Sequence, residues 1–250
     1  MKKLLLILLT LIILIGGGAV WFLTSDKLND LIAEQITVQG TKFTEQLVTV
    51  AKVDMQLLHG AGTINGLVLN NPKGYSATPI FSLDEITLDI NIQSLSGDPI
   101  VIDAIVINKP EVFVEFNETG GSNIQEIIDA INKNIPKSAG GQATTDTDSN
   151  TVQPRIRVKK FILAGVALKV DLSKLGNTLH KKTLPDIKLT NIGGDAGLPA
   201  NELGGVMTKK ALSAIWKQVK KAQQKVLEDK AKDKVKKEAT KLFDKWRKGS

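Results

Sequence analysis

Cysteine is absent from the 250 residues, which excludes a disulfide framework, a thiolate metal site, a thiol nucleophile and an acylated-cysteine anchor. Histidine is nearly absent, since His59 and His180 are the only two. His59 precedes a glycine turn and His180 sits among lysines, so neither has the neighbours that the base of a hydrolytic triad requires. Aromatic residues make up only 4% of the chain, so any large apolar surface is built from Ile, Leu and Val. H-E-x-x-H, G-x-S-x-G, G-x-G-x-x-G and phosphate-loop patterns are also missing. Asp84 and Glu85 are adjacent, and adjacent strand residues point to opposite faces, which removes them as a carboxylate dyad. Asp89, Asp98 and Asp103 read as solvent-face or turn residues. No catalytic residue, cofactor or metal site is expected.

What is present starts with Lys2 and Lys3, followed by an uncharged run of 20 residues from Leu4 to Leu23. That length crosses a bilayer as a helix. The positive-inside bias keeps the N-terminus cytoplasmic and places Trp21 and Phe22 at the far interface. A cleavable signal peptide competes with this reading, because the first apolar residues resemble its hydrophobic region and Gly16 to Ala19 are small. There is no clean A-x-A site, however, and apolarity continues to Leu23. Both readings export the body. The expected organisation is a transmembrane anchor over 1–24, a β domain over 25–206 and a basic helical tail over 207–250.

After the anchor, Leu28, Leu31, Ile32, Gln35 and Ile36 fall at the spacing of an amphipathic helix. An antiparallel, twisted strand array is then expected, making the chain mainly β with flanking helices. Val48, Val50, Val53, Met55 and Leu57 mark one run, and Gly60-Ala61-Gly62 supplies the turn to the next, Thr63 to Asn70. Asn65-Gly66 fits a bulge inside a strand better than a hairpin turn, because the apolar frame continues around it. Pro72, Pro99 and Pro110 cannot donate to a ladder and belong at strand ends or edges. Ile86, Leu88, Ile90 and Ile92 share a face with which Phe81 and Leu83 are out of phase, so a bulge or bend is expected near Asp84-Glu85. Ile105 and Ile107, then Val112, Val114 and Phe116, repeat the pattern around Lys109-Pro110. Ile124, Ile127, Ile128 and Ile131 predict a helix over 123–135, capped by Ser122 or Asn123. Residues 136–154 hold almost nothing to bury and read as a disordered loop. A second strand block covers Arg155 to Leu172 and Leu184 to Ile192.

Such an array has one dry face that meets a second layer or a ligand. The residues that would face a lipid there are Ile86, Leu88, Ile90, Ile105, Ile107, Val166 and Leu168. The tail has its own character. From Lys209 onward there are 15 Lys and Arg against 5 Asp and Glu, on an amphipathic stripe that includes Leu212, Ile215, Trp216 and Val219. Two readings of it stay open: the stripe lies on the strand array with its lysines solvated, or the helix meets an anionic membrane or a protein partner through Lys217, Lys220, Lys221, Phe243 and Trp246. Nucleic acid is not expected as a partner of an exported chain.

Gly66-Leu67, Asn71-Pro72, Gly74-Tyr75, the Ser94-Leu95 step, Ile105-x-Ile107-x-x-Pro110 and Gly121-x-Asn123 together resemble the AsmA-like family of bacterial envelope proteins. The resemblance covers the anchor and residues 40–132, with 157–192 as a degenerate return. It implies a single-pass inner-membrane protein with its bulk in the periplasm, a β-rich groove or sandwich, and a role in envelope or outer-membrane lipid homeostasis with phospholipid or lipopolysaccharide as ligand. Larger relatives are thought to form lipid-conducting bridges between membranes, and this array is too short to span a periplasm. The alternative is a non-catalytic structural or adaptor module with a closed core, docking an envelope protein or the membrane through its basic tail.

Overall fold

The structure is a computed structural model that describes residues 26–135, 154–176 and 178–221. The segment from Leu4 to Leu23, the stretch 136–153, and Phe243 and Trp246 lie outside the described residues. Among the described residues, no helix is long and apolar enough to cross a membrane. The chain divides into two compact units, Met1–Leu212 and Ser213–Ser250. Of the second, the described part is helical to residue 221.

Helix α1 (Asp26–Thr44) is the first described element of the first unit. It runs antiparallel to the edge strand formed by β1 (Val48–Thr49) and β2 (Lys52–Gln56), and two side chains fix this. The Met55 N–H donates to Asn29 Oδ1 at 2.8 Å and the Val48 N–H to Thr41 Oγ1 at 3.1 Å. Asn29 thus closes an edge amide that would otherwise be open to pairing. Phe43 is buried, while Leu31 is 46% exposed, so Leu31 does not belong to the inward stripe expected of it.

Strands β3 (Ala61–Leu69), β4 (Phe81–Ile90), β5 (Ile100–Asn108) and β6 (Glu111–Glu115) continue the sheet. Helix α2 (Asn123–Asn134) follows, then β7 (Arg155–Ala164), β8 (Ala167–Asp171), β9 (Leu179–Thr183), β10 (Ile187–Ile192) and β11 (Leu198–Pro199). All belong to one 11-stranded sheet. β1 and β2 pair with β3, β3 with β4, and β4 with both β5 and β6, each antiparallel. The array is not antiparallel throughout, because β5 pairs with β7 and β6 with β8 in parallel. After β6 the chain passes through α2 and residues 136–153 before β7 begins beside the start of β5, and such a long crossover is what parallel neighbours require. β10 and β9 then return antiparallel along β7 and β8. β9, with the sequence LHKKT, was not expected as a strand.

The short strands join end to end. The offset that pairs β5 with β7 also pairs β6 with β8, and one register serves β10 on β7 and β9 on β8. β1–β2, β5–β6, β7–β8 and β9–β10 are therefore single long strands, each broken at one level. Following the registers across that level gives one row: Ala51, Gly66, Asp84, Lys109, Gly165 and Pro185. On either side of the row, residues of the same face are separated by two intervening residues instead of one: Ile64 and Leu67, Ile86 and Leu83, Ile107 and Pro110, Leu163 and Val166, Ile187 and Leu184. Regular strands alternate faces, so each strand carries one extra residue here, and the sheet folds along a crease.

The extra residues are small or polar. Gly66, Lys109 and Gly165 take φ of 63°, 48° and 60°, the left-handed region that lets a strand insert a residue without losing register. A Cβ on Gly66 would lie 2.7 Å from the Ala51 Cβ. The bulge expected at Asn65-Gly66, the bend at Asp84-Glu85 and the break at Lys109-Pro110 are one feature seen in three strands. A smaller irregularity lies between β4 and β5, where Asp89 pairs with Ala104 and Ile90 with Ile102. The extra Asp103 holds Lys159 at 2.7 Å.

The crease divides the sheet into a near half, containing β2, β5, β7 and β10 beside the start of α1, and a far half, containing β1, β6, β8 and β9. The strand residues both halves bury most deeply lie on one face, while Val101, Val106, Phe113 and Ile162 are half-buried on the other. Ser122 caps α2, its Oγ accepting from the Gln125 N–H at 3.4 Å, and Ile124, Ile127, Ile128 and Ile131 are all buried. A third helix, α3, begins at residue 200, earlier than the expected 207. Gly205 lets it pass close to the rest of the first unit, since a Cβ there would be 3.0 Å from Ile135 Cγ1 and 3.1 Å from Phe43 Cδ2.

Candidate functional site

All seven residues expected to face a lipid lie on the apolar face, in both halves. Ile86, Ile90, Ile105, Ile107, Val166 and Leu168 are buried, and Leu88 is half-buried. The centre of the face is thus filled by the protein itself. Its less covered residues are mostly in the near half, where Met55, Leu88, Ile100, Ile102, Ile156 and Leu189 are half-buried, with Leu67 and Val170 their counterparts in the far half. These side chains are aliphatic or thioether, so the margin offers area and shape but no directional polar recognition.

Several of the polar residues singled out in the sequence, Asn71, Tyr75 and Asn123, come together elsewhere, at the far end of β6. β4 has ended by this point, which leaves the β6 edge without a neighbouring strand. Asn123 takes that place. Its Nδ2 donates to the Phe113 carbonyl at 2.9 Å, and its Oδ1 accepts from the Glu115 N–H at 3.0 Å, the two bonds a paired strand would have made. The same amide also donates to Asn71 Oδ1 at 2.9 Å and accepts from the Ile124 N–H at 2.7 Å. Asn123 has no exposed surface.

The Glu115 carboxylate beside it is only 6% exposed. A loop folds over it, supplying Asn71 Nδ2, the Ser76 N–H at 3.1 Å and Ser76 Oγ at 2.7 Å. Together these bonds satisfy carboxylate oxygens held away from water. From the same loop, the Tyr75 hydroxyl donates to Glu126 Oε1 of α2 at 2.6 Å. Burial and the Glu126 carboxylate push the Tyr75 phenol well above its ordinary value of 10.0. Asn71, Tyr75, Glu115 and Asn123 thus lock the loop, the strand edge and the helix start together.

Sequence reasoning treated Asn71-Pro72 as turn punctuation and missed Glu115. The alternation of Val112, Val114 and Phe116 points Glu115 away from the apolar face, and only the loop buries it. The one available signal was the group of polar motif residues around Asn71, Gly74 and Gly121. The Asn117-Glu118-Thr119 triplet closes a local turn, since Asn117 Oδ1 accepts from the Thr119 N–H at 3.1 Å, Thr119 Oγ1 at 2.8 Å and the Gly121 N–H at 2.8 Å.

His59 ends the turn between β2 and β3, whereas His180 lies on β9 in the other half, so the structure does not bring them together. Lys217, Lys220 and Lys221 are exposed, and Lys220 Nζ lies 5.8 Å from the centroid of the Trp216 ring. These residues define a class: a mixed, creased β-sheet module braced by helices, with one aliphatic face and a buried polar lock. Comparison with protein-family models, curated proteins and solved structures finds no match.

Proposed function

We propose that this chain is a non-catalytic protein of the bacterial cell envelope, AsmA-like in kind, which binds lipid on the apolar face of its sheet. In this reading Leu4 to Leu23 anchor it in the inner membrane and the creased sheet lies in the periplasm. The observation that carries the reading is the continuity of the face. The crease keeps the apolar residues of six successive strands on one side, and Leu88, Ile102 and Leu189 leave a half-covered aliphatic margin there. Acyl chains require this kind of surface, in which buried area and not polar pairing supplies the attraction.

A second reading, an adaptor with a closed core, is favoured by the burial of six of the seven candidate residues. Native mass spectrometry with lipid extraction separates the two. The full chain purified from an envelope fraction is expected to retain stoichiometric phospholipid or lipopolysaccharide after detergent exchange. Leu88→Asp is expected to abolish retention with the fold intact, whereas Ile107→Asp in the filled centre unfolds the protein. A stable wild-type chain without lipid would establish the adaptor and move attention to what binds Lys217, Lys220 and Lys221.

A further inference from the structure

The near half ends in two short 3-10 turns, Leu57–His59 and Ile92–Ser94. Each places one large aliphatic side chain in solvent: Leu58 is 51% exposed and Ile92 is 49% exposed. The two turns touch. The Ile90 N–H donates to the Gly60 carbonyl at 2.6 Å, and a Cβ on Gly60 would lie 3.0 Å from Ile92 Cγ1. Leu58 also shares a cleft with Asp26, the first residue of α1. Single exposed aliphatics are ordinary on protein surfaces; a pair in adjoining turns beside the start of α1 is a small patch whose position matters.

The position follows from the covalent chain. The apolar run ends at Leu23, and three residues of fully extended chain reach at most about 11 Å. If Leu23 is at the membrane interface, Asp26 lies within about that distance of the lipid, and Leu58 is across one cleft from it. We propose that Leu58 and Ile92 insert into the bilayer leaflet from which the chain emerges, seating the near half of the sheet against the membrane. The proposal rests on the anchor reading of Leu4 to Leu23. Charges around the cleft are mixed, with Asp26 and Asp54 against Lys52, so the contact is apolar and needs no anionic lipid. It also brings the half-covered margin of the sheet to the surface from which a lipid would enter.

The natural absence of cysteine permits single labels without background. Full-length Leu58→Cys, Ile92→Cys and Leu175→Cys variants are labelled with a polarity-sensitive fluorophore and reconstituted into phosphatidylcholine vesicles. Leu175 is 40% exposed in the 3-10 turn after β8, a similar side chain at the far half. Labels at 58 and 92 are expected to emit at shorter wavelength and to be quenched by lipid carrying a spin label near the headgroup, while the label at 175 behaves as in water. An alkaline carbonate wash tests the anchor separately. A chain retained by the vesicles whose labels at 58 and 92 match that at 175 overturns the contact and leaves the anchor standing. A chain released by the wash overturns both.

Discussion

In the far half of the sheet polar side chains go inside; in the near half the strands bury only apolar ones. Glu115, Ser122 and Asn123 are buried in the far half, each held by bonds that demand one geometry. The near half buries Ile64, Ile86, Ile105, Phe161 and Leu163 through contacts without direction. A satisfied buried network specifies a single arrangement, whereas apolar packing tolerates exchange of one aliphatic partner for another. The far half is therefore built to hold α2 and its loop in place, and the near half is where, in the proposed function, an acyl chain would compete for cover.

The sharpest test of this contrast is Asn123→Ala, which leaves the Phe113 carbonyl and the Glu115 N–H without partners in a buried place. A loss of about 3 kcal/mol is expected in urea unfolding, against about 1 kcal/mol for Leu88→Ala at the half-covered margin. Equal losses would mean that the two halves are held in the same way.

The crease between them gives the next largest effect. Gly66→Ala combines a left-handed backbone with a clash against Ala51 and is expected to lower stability by about 2 kcal/mol. Gly165→Ala has the same backbone demand, but its nearest new neighbour is Lys109 Cγ at 3.7 Å, so about 1 kcal/mol is expected. Thermal melts of the two variants check the order.

The smallest effect is alkaline and belongs to the far half. The folded state raises the Tyr75 pKa above 10.0, so it favours the protonated phenol. The stability from this source is complete below pH 10 and is lost as pH rises beyond it. Tyr75→Phe should flatten that alkaline decline in a pH series of melts, and an unchanged slope would remove Tyr75 from the lock.

The parts legible in the sequence were those carried by local period. Ile124, Ile127, Ile128 and Ile131 mark α2, and Ser122 marks its cap. Phase changes at Asn65-Gly66, Asp84-Glu85 and Lys109-Pro110 mark the crease strand by strand, but its alignment across the sheet depends on pairings between residues far apart in the chain. The parallel pairing of β5 with β7 was hidden because no local pattern distinguishes a crossover from a hairpin across residues 136–153. β9 was hidden because an edge strand rich in lysine shows no apolar alternation. Glu115 was hidden because a loop buries it, and alternation along a strand registers only the sheet face.

The crease also constrains how the gene can change length. Because every long strand carries its extra residue in the same row, removing one residue from one strand there, Lys109 for example, turns half of that strand inside out while its neighbours stay as they were. A single-codon deletion at the crease is therefore far more damaging than one at Lys174, in the exposed turn after β8. Surviving length variants of this protein should have their gaps in the connections and none in that row.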